Sequence, residues 1–300
     1  MKQLTAIKRS FWTLFAFYFL IGFEFFYMAS PFAIYFYSVY GPGLNLIQAN
    51  PTLAWLSSAF LPHIVVETTS GLINVHGELG AAIFILGLIA FFVGAGQVYF
   101  HKLARKGAVI SGIYNFVRHP QYAALACGGF GLLLMWPRYI HLLTYAAMLF
   151  AYYFLAMAEE KECAAKFDES YLEYRKRTNM FTPFKLPPGI RISPPLNGRV
   201  GLLRTAALYL LVSLLAVGLA NLLNRLSLDS LYALYSKDAV YIFLFKTDRQ
   251  TIAQMAGIAL ADNEIQAKLK QCRNDRFINY VLPAAWYVSE IHMNKVAVAE

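Results

Sequence analysis

The chain has 300 residues, of which 58% are hydrophobic, 16% are aromatic and only 14% are charged. A soluble domain usually carries about 25% charged residues, because polar groups must cover its surface. So few charges would leave many of the 24 Phe and 20 Tyr side chains in contact with water. The composition therefore excludes a soluble globular protein and predicts an integral membrane protein.

The net charge of +9 could indicate nucleic-acid binding, but the positions of the basic residues argue against that class. No Lys or Arg occurs between Arg9 and Lys102. The basic residues lie instead in residues 2–9, 102–118 and 161–204, and in a C-terminal stretch whose net charge is near zero. Such gaps are typical of the positive-inside rule, and basic loops also contact anionic lipid headgroups. We therefore expect membrane lipids, and not nucleic acid, as partners.

Five apolar stretches predict membrane spans, since crossing the hydrocarbon core takes about 20 helical residues. The first covers residues 11–37 and contains Glu24 and Pro31. A signal peptide is the alternative for this stretch, but its apolar part is too long for one. The other four are residues 79–100, 122–136, 140–157 and 202–223. The tight turn from Trp136 to Tyr139 joins two of them into a short helical hairpin.

The predicted fold is an all-α, multi-pass helical bundle of about five transmembrane helices. With the N-terminus in the cytoplasm, both basic loops face the cytoplasm and residues 41–77 face outward. Within that outer loop, residues 52–66 predict an interfacial or re-entrant helix. After the last span, residues 239–245 predict a strand and residues 251–272 a helix. The C-terminal part is thus a small α+β or helical extramembrane segment.

Four regions follow from this pattern. They are an N-terminal helix with its outer loop (1–78), a helical core (79–187), a linker with the last span (188–224) and a C-terminal segment (225–300). Cys127, Cys163 and Cys272 have neither a close pair nor metal-ligand spacing, so they are interpreted as packing residues. No metal site is predicted. The membrane is a bacterial inner membrane, or the endoplasmic reticulum membrane in a eukaryote.

Polar residues are densest in two stretches beside the predicted spans, and both face the cytoplasm. Because a helical hairpin returns the chain to the side it left, Arg118 and His119 should lie near Glu159 and Glu160. An arginine can bind a carboxylate with two parallel hydrogen bonds, and a glutamate can bind an ammonium group. Neighbouring tyrosines can stack on a flat heterocycle or face a cation. This set suits S-adenosylmethionine; the alternative is that the charges only anchor the span ends.

Two motifs carry a resemblance to a known family. Gly112-Ile113-Tyr114 followed by Arg118-His119-Pro120-Gln121-Tyr122 resembles the G-[IV]-Y-x3-R-H-P-x-Y motif of the integral-membrane methyltransferases. That family includes the isoprenylcysteine carboxyl methyltransferases and the phospholipid methyltransferases. The stretch from Glu159-Glu160 through Phe167 to Tyr171 and Tyr174 resembles the E-E-x6-F-G-x2-Y-x2-Y tail, with Pro183 as its closing proline. The resemblance covers residues 79–187.

The resemblance implies that S-adenosylmethionine binds in a cytoplasm-facing pocket under the tail, and that a lipid-like or hydrophobic small-molecule acceptor enters from the bilayer. The family's cofactor contacts correspond to Lys106, Val109, Tyr114, His119, Pro120, Gln121, Tyr122, Glu159 and Glu160. Arg118 is added to this set because it can bind the carboxylate of the cofactor. The predicted catalytic residues are His119, Glu160 and Arg118. An amine or thiol acceptor needs a base, and His119 has a more suitable intrinsic pKa than Glu160.

Departures from the family pattern bear on the acceptor. Leu155 stands where the carboxyl-methylating branch has an arginine, so an amine, thiol or hydroxyl is favoured over a prenylcysteine carboxylate. Leu155 and Glu24, a carboxylate inside the first span, are the predicted acceptor contacts. Asp168 replaces the glycine of the tail motif, and Lys106 occupies a position where the family often has histidine. A membrane reductase of the sterol-reductase type that uses NADPH, and a non-catalytic protein with this fold, remain alternatives.

Overall fold

The structure is a computed structural model that describes residues 19, 22–23, 25–36, 47–62, 65–104, 109–184, 198–236, 239–271 and 277–281. The predictions made for Glu24, Lys106 and Cys272 lie outside these described residues. The described chain is mostly helical, with one small sheet near the C-terminus. This confirms the predicted helical class.

Five apolar helices correspond in position to the five predicted spans. They are α1 (Phe25–Phe36), α2 (His76–Leu103), α3 (Pro120–Met135), α4 (Tyr139–Arg177) and α5 (Gly198–Leu228). Among the described residues, three segments are long and apolar enough to cross a membrane: His76–Leu103, Tyr139–Lys166 and Val200–Leu228. Because α1 and α3 are shorter, the number of five crossings stays a prediction, as do the residue boundaries of the four regions.

Helices α3 and α4 form the predicted hairpin. Pro120 occupies the first position of α3, where its missing amide hydrogen removes no helical hydrogen bond. Helix α4 does not end near residue 157, where the predicted span ends, but continues to Arg177. Residues 158–177 contain neither proline nor glycine, so the helix extends beyond its apolar part into a charged one.

The charged half of α4 must bend. The Nε atom of Arg175 lies 3.2 Å from the Oε2 atom of Glu160, although both residues belong to this one helix. A straight helix would separate their Cα atoms by about 22 Å, at 1.5 Å of rise per residue. The two side chains cannot bridge that separation. The axis therefore turns between them and returns the end of α4 towards the start of α3.

Helix α2 packs against α3 through glycines spaced seven residues apart. A Cβ atom added at Gly80 would lie 2.6 Å from the carbonyl oxygen of Gly131, and one at Gly87 would lie 2.6 Å from the amide nitrogen of Gly128. Gly94, further along α2, faces the Gln121 side chain at the start of α3. The two helices are thus antiparallel, and the C-terminal half of α2 lies beside the start of α3.

Residues 59–77 and 220–300 form a separate compact unit. In its sheet, β1 (Ala233–Tyr235) is antiparallel to β2 (Ala239–Phe243), and β2 is parallel to β3 (Phe277–Val281). Helices α6 (Arg249–Ala261) and α7 (Asn263–Gln271) connect β2 to β3. This is an α+β arrangement, one of the two predicted for the C-terminal segment.

The outer loop does not contain the helix predicted for residues 52–66. Among the described residues of that range, helical structure is limited to the short 3-10 turn Ala54–Ser57. Val66 and Glu67 instead donate their backbone N–H groups to the carbonyl oxygen of Leu244, each at 3.0 Å. Hydrogen bonding to the C-terminal unit replaces the helical pattern that the apolar composition predicted.

Candidate functional site

The site lies where the loop before α3 meets the charged half of α4. Gly112 opens a 3-10 turn, Gly112–Asn115, with a φ of +65°, in the left-handed region that favours glycine. A Cβ atom at this position would also lie only 2.5 Å from the side-chain amide nitrogen of Gln97 on α2. The backbone conformation therefore requires glycine here, whereas the flexible end of the Gln97 side chain could move to admit a Cβ atom.

Residues 178–181, which we call the strap, follow the end of α4 and pair with the backbone before α3. The Arg118 N–H donates to the carbonyl oxygen of Asn179 at 2.9 Å, and the His119 N–H donates to that of Met180 at 3.1 Å. The Phe181 ring lies 6.0 Å from the His119 ring, between centroids. The strap thus fixes the backbone of the Arg-His pair and covers one side of the imidazole.

Glu160 is the buried carboxylate of the site, with only 4% of its side chain exposed. Its Oε1 atom accepts a hydrogen bond from Nε of Arg118 at 2.6 Å, and Nε of Arg175 lies 3.2 Å from its Oε2 atom. Two guanidinium groups therefore compensate its negative charge. Removing either cation would leave a buried carboxylate with less compensation.

The Arg118 side chain also binds the strap. Its Nη1 group donates to the carbonyl oxygens of Arg175, at 3.1 Å, and Thr178. Within the described part of the chain, these bonds engage Nε and Nη1, and Nη2 makes none of them. Arg118 thus connects Glu160 to the end of α4, and the Nη2 donors are the part of the guanidinium that remains for a ligand.

Glu159 differs from its neighbour in exposure and in partners. Its side chain is 43% exposed, and its Oε2 atom lies 3.3 Å from Nδ1 of His119. The Tyr122 hydroxyl donates to its Oε1 atom. Because consecutive residues project about 100° apart around a helix, the two glutamates present their carboxylates in different directions. Glu159 is the carboxylate that a cationic ligand can reach.

His119 is buried between the two carboxylates. Its ring stacks on Tyr122 with centroids 5.6 Å apart and an interplanar angle of 12°, and its Nε2 atom lies 3.6 Å from Oε1 of Glu160. Burial lowers the pKa of His119, but the hydrogen bond to Glu159 and the charges of both glutamates outweigh it and raise the pKa above its usual value. The two carboxylates therefore make the imidazole a stronger base than an ordinary histidine.

Aromatic side chains surround this cluster on the side of α3 and α4. Tyr122 stacks on Tyr152 with centroids 4.9 Å apart. On the loop side, the Tyr174 hydroxyl donates to the carbonyl oxygen of Tyr114 at 2.7 Å. Burial raises the pKa of Tyr114 well above its usual value and that of Tyr174 to about 12, so both phenols are neutral. They can act as hydrogen-bond donors but not as bases.

Five of the predicted site residues are brought into direct contact: Arg118, His119, Tyr122, Glu159 and Glu160. The others have neighbouring or structural positions. Val109 packs against the buried cluster of Tyr114, Tyr171 and Tyr174, and Leu155 packs against the core that contains Tyr35, Tyr122 and Tyr152. Pro120 begins α3, and Gln121 faces α2. In the part of the chain that the structure describes, no group of His, Cys, Asp and Glu could hold a metal ion.

The sequence analysis missed Arg175 and the strap as parts of the site. Arg175 is far from Glu160 in sequence, and no helical spacing joins them, because the contact depends on the bend in α4. The only signal was the basic run Arg175-Lys176-Arg177 at the end of a tail already linked to the cofactor pocket. That signal does not distinguish a buried partner from three solvated charges.

Comparison with known proteins gives matches that include most of the site residues. Residues 66–170 match the family model described as phospholipid methyltransferase. The protein-S-isoprenylcysteine O-methyltransferase of Schizosaccharomyces pombe is 30% identical over 108 residues, which cover 34% of this chain and 42% of that protein. The chain thus spans less than half the length of this relative. No solved structure matches the chain.

These two matches confirm the resemblance to the integral-membrane methyltransferases over about a third of the chain. The matched family region contains α3, both glutamates and the loop from Gly112 to His119. Both the matched family and the matched relative are methyltransferases, and neither is a reductase.

Proposed function

We propose that this protein is an integral-membrane methyltransferase that uses S-adenosylmethionine and a lipid-like or hydrophobic acceptor. The observation that carries the proposal is the contact of Arg118, His119, Glu159 and Glu160 at one end of the α3–α4 hairpin. Four ionisable side chains with mutual contacts are expensive to assemble beside apolar helices, and such clusters are typical of functional sites.

The side chains suit a ligand that carries both an ammonium and a carboxylate. Glu159 presents a half-exposed carboxylate for the ammonium group, and Nη2 of Arg118 can donate to the carboxylate. Tyr114 and Tyr122 are buried, and Tyr122 already stacks on His119 and Tyr152, so these tyrosines form the wall behind the charged groups and do not stack on the purine. When bound, S-adenosylmethionine supplies a methyl group that the positive sulfur has already activated.

The proposed role of His119 depends on the acceptor. An amine, thiol or hydroxyl must lose a proton, and the imidazole can accept it only in its neutral form. Two arginines stabilise the anionic form of Glu160, which makes that carboxylate a weaker base than the sequence suggested. We therefore assign proton transfer to His119, and to Glu160 the role of holding His119 and Arg118 in place.

Leu155 supports an acceptor without a carboxylate. Its side chain packs against the aromatic core of Tyr35, Tyr122 and Tyr152 and brings no charge to the hairpin. A prenylcysteine carboxylate would lack a cationic partner at this position. The two matched descriptions name different acceptors, a phospholipid and an isoprenylcysteine, so they do not select between these classes. We favour an amine, thiol or hydroxyl.

Cofactor binding tests the first part of the proposal. Isothermal titration of the detergent-solubilised full chain should show binding of S-adenosylhomocysteine and none of NADPH. Glu159→Gln should weaken this binding by about tenfold or more, because a charge-assisted hydrogen bond contributes about 1.5–3 kcal/mol. Glu169→Gln, at an exposed position of the same helix, is the matched control. Binding of NADPH alone would support the reductase, and binding of neither would refute both enzymes.

Methyl transfer tests the acceptor. Transfer from labelled S-adenosylmethionine is measured with an ethanolamine phospholipid, a small thiol and N-acetyl-farnesylcysteine in parallel. We expect labelling of the phospholipid or the thiol. Efficient, base-labile labelling of the farnesylcysteine would show that a residue other than Leu155 contacts the carboxylate.

A further inference from the structure

One surface of the C-terminal unit lacks the charges that water-exposed helices carry. Helix α6 contains no charged residue between Arg249 and Asp262. Its inner face, with Ile252 and Ala256, is buried against β1 and β2. Its exposed surface presents Ile258 (74% exposed) and Met255 (46%) on one side, beside the uncharged polar Gln250 and Gln254. A helix on a soluble domain normally carries charged residues on its outer face, so the side with Ile258 and Met255 suits an apolar neighbour.

The same unit contains the ends of two candidate membrane spans. Helix α5 reaches Leu228 with Leu222 and Leu226 exposed on its surface, as lipid-facing residues are, and β1 begins shortly after, at Ala233. Helix α2 begins at His76, a few residues after Thr69, whose N–H donates to the carbonyl oxygen of Ser230 at 2.9 Å. Hydrogen bonding therefore connects the segments next to the two candidate span ends, and a membrane that both helices cross would have its boundary at this unit.

The register of β1 and β2 brings α6 back to that boundary. The Phe243 N–H donates to the carbonyl oxygen of Tyr232 at 2.9 Å, so β2 ends beside the residue that follows the α5 span. Leu244 is bonded to the segment that leads into α2, and α6 starts at Arg249. Helix α6 thus begins five residues after Leu244, where the chain is bonded to the segment before α2 and lies next to the residue paired with Tyr232. The turn at Ser236 lies at the opposite end of the β1–β2 pair.

We propose that α6 lies on the lipid–water interface, with Ile258 and Met255 in contact with lipid. Lipid is the expected apolar neighbour, because the candidate spans in α2 and α5 end in this unit. The exposed Lys246 and Arg249 at the start of α6 suit the anionic phosphates of the headgroups. Interfacial segments typically combine exposed apolar residues on one side of a helix with polar and basic residues elsewhere on it. This proposal does not depend on the proposed methyltransferase activity.

Site-directed spin labelling of the full chain in phospholipid nanodiscs tests the proposal. With the three native cysteines replaced by alanine, a label is placed at Ile258→Cys, at Met255→Cys or at the control Ser236→Cys. We expect the labels at 258 and 255 to collide with a water-soluble nickel chelate several-fold less often than the label at 236. They should also collide more often with oxygen, which concentrates in the bilayer. Unchanged thermal unfolding of each variant shows that its fold is intact.

Two other results would overturn the interfacial assignment. Equal collision with the nickel chelate at 258, 255 and 236 would place the outer face of α6 in water. Low collision with both reagents, accompanied by spin–spin broadening at 258, would place that face against a second copy of the chain.

Discussion

At the scale of single residues, the two adjacent glutamates show how position on a helix separates roles that the sequence cannot separate. Glu160 is buried and bound by two arginines, whereas Glu159 is half-exposed and contacts His119 and Tyr122. The same residue type thus provides a fixed anion at one position and a ligand-accessible anion at the next. Substitutions at the two positions should therefore have different effects.

Arg175 is predicted to be a positioning residue that acts through Glu160. Its side chain is 52% exposed, so solvent screens its attraction to Glu160 and the loss on substitution is moderate, about 1 kcal/mol. Arg175→Gln should lower kcat/KM for methyl transfer about fivefold, with partial rescue in Arg175→Lys. Arg177→Gln removes an exposed arginine from the same tail and is the matched control. Equal activity in the two Gln variants would leave Arg175 without a role in the site.

His119 makes the stability of the folded protein depend on pH. Its pKa in the folded state is raised above the value of about 6.5 expected in an unfolded chain, so its protonation stabilises the fold. That stabilisation is complete below about pH 6.5 and is lost as the pH rises through the raised pKa. The difference in thermal stability between the parent protein and His119→Gln should thus shrink as the pH rises above about 6.5. A difference that grows with pH would contradict the raised pKa.

The contacts among Arg118, His119, Glu159 and Glu160 could be predicted from the sequence, because a short hairpin must return to the side it left. The different environments of the two glutamates could not, since they depend on which direction each side chain takes from α4. The pairing of Arg175 with Glu160 was equally inaccessible. It follows from a bend in a helix segment that contains neither glycine nor proline.

At the scale of secondary-structure elements, close packing of α2 on α3 holds the site loop beside the hairpin. The glycines of both helices let the two backbones approach within van der Waals contact, as small residues do between membrane helices. This packing places Gln97 of α2 against Gly112, which begins the loop that carries Arg118 and His119. Its disruption should therefore affect both stability and the site.

Gly87 is the position where this packing is most readily tested. A Cβ atom there would lie 2.6–2.8 Å from backbone atoms of Ala124 and Gly128, so a larger side chain must separate the helices. Gly87→Leu should destabilise the protein by about 1–3 kcal/mol and lower its thermal unfolding temperature in detergent. Gly96→Leu, on the same helix with nothing within 4 Å of its added Cβ atom, is the control. Similar unfolding temperatures for the two variants would contradict the packing.

Helices and strands were predicted well where the sequence has a long apolar stretch. They were predicted poorly where a helix cap or a long-range hydrogen bond sets the boundary of the element. The apolar helices and the strand at β2 were found, because length and composition indicate them. The helix predicted over residues 251–272 is instead two helices, since the Asp262 carboxylate accepts the N–H groups of Glu264 and Ile265 and starts a new helix there. A single aspartate within a helical pattern is weak evidence for such a break.

At the scale of the whole molecule, the distribution of charge predicts the orientation in the membrane. Residues 10–101 contain no Lys or Arg, and the segments on either side of them are basic. Helix α2, a candidate span, lies between Asn50 and Ser111, both of which are exposed. One crossing between these positions would place them on opposite sides, and the positive-inside rule predicts that Ser111 lies in the cytoplasm with the site.

Cysteine labelling of intact cells tests this orientation. In a chain whose native cysteines are replaced by alanine, a membrane-impermeant maleimide should label Asn50→Cys from outside and leave Ser111→Cys unlabelled until the cells are lysed. The reason is the absence of basic residues near Asn50 and their abundance after Lys102, which makes translocation of the second loop unfavourable. Labelling of Ser111→Cys alone would reverse the orientation. Equal labelling of both positions in intact cells would show that α2 does not cross the membrane, and the cytoplasmic location of the site would then have no support.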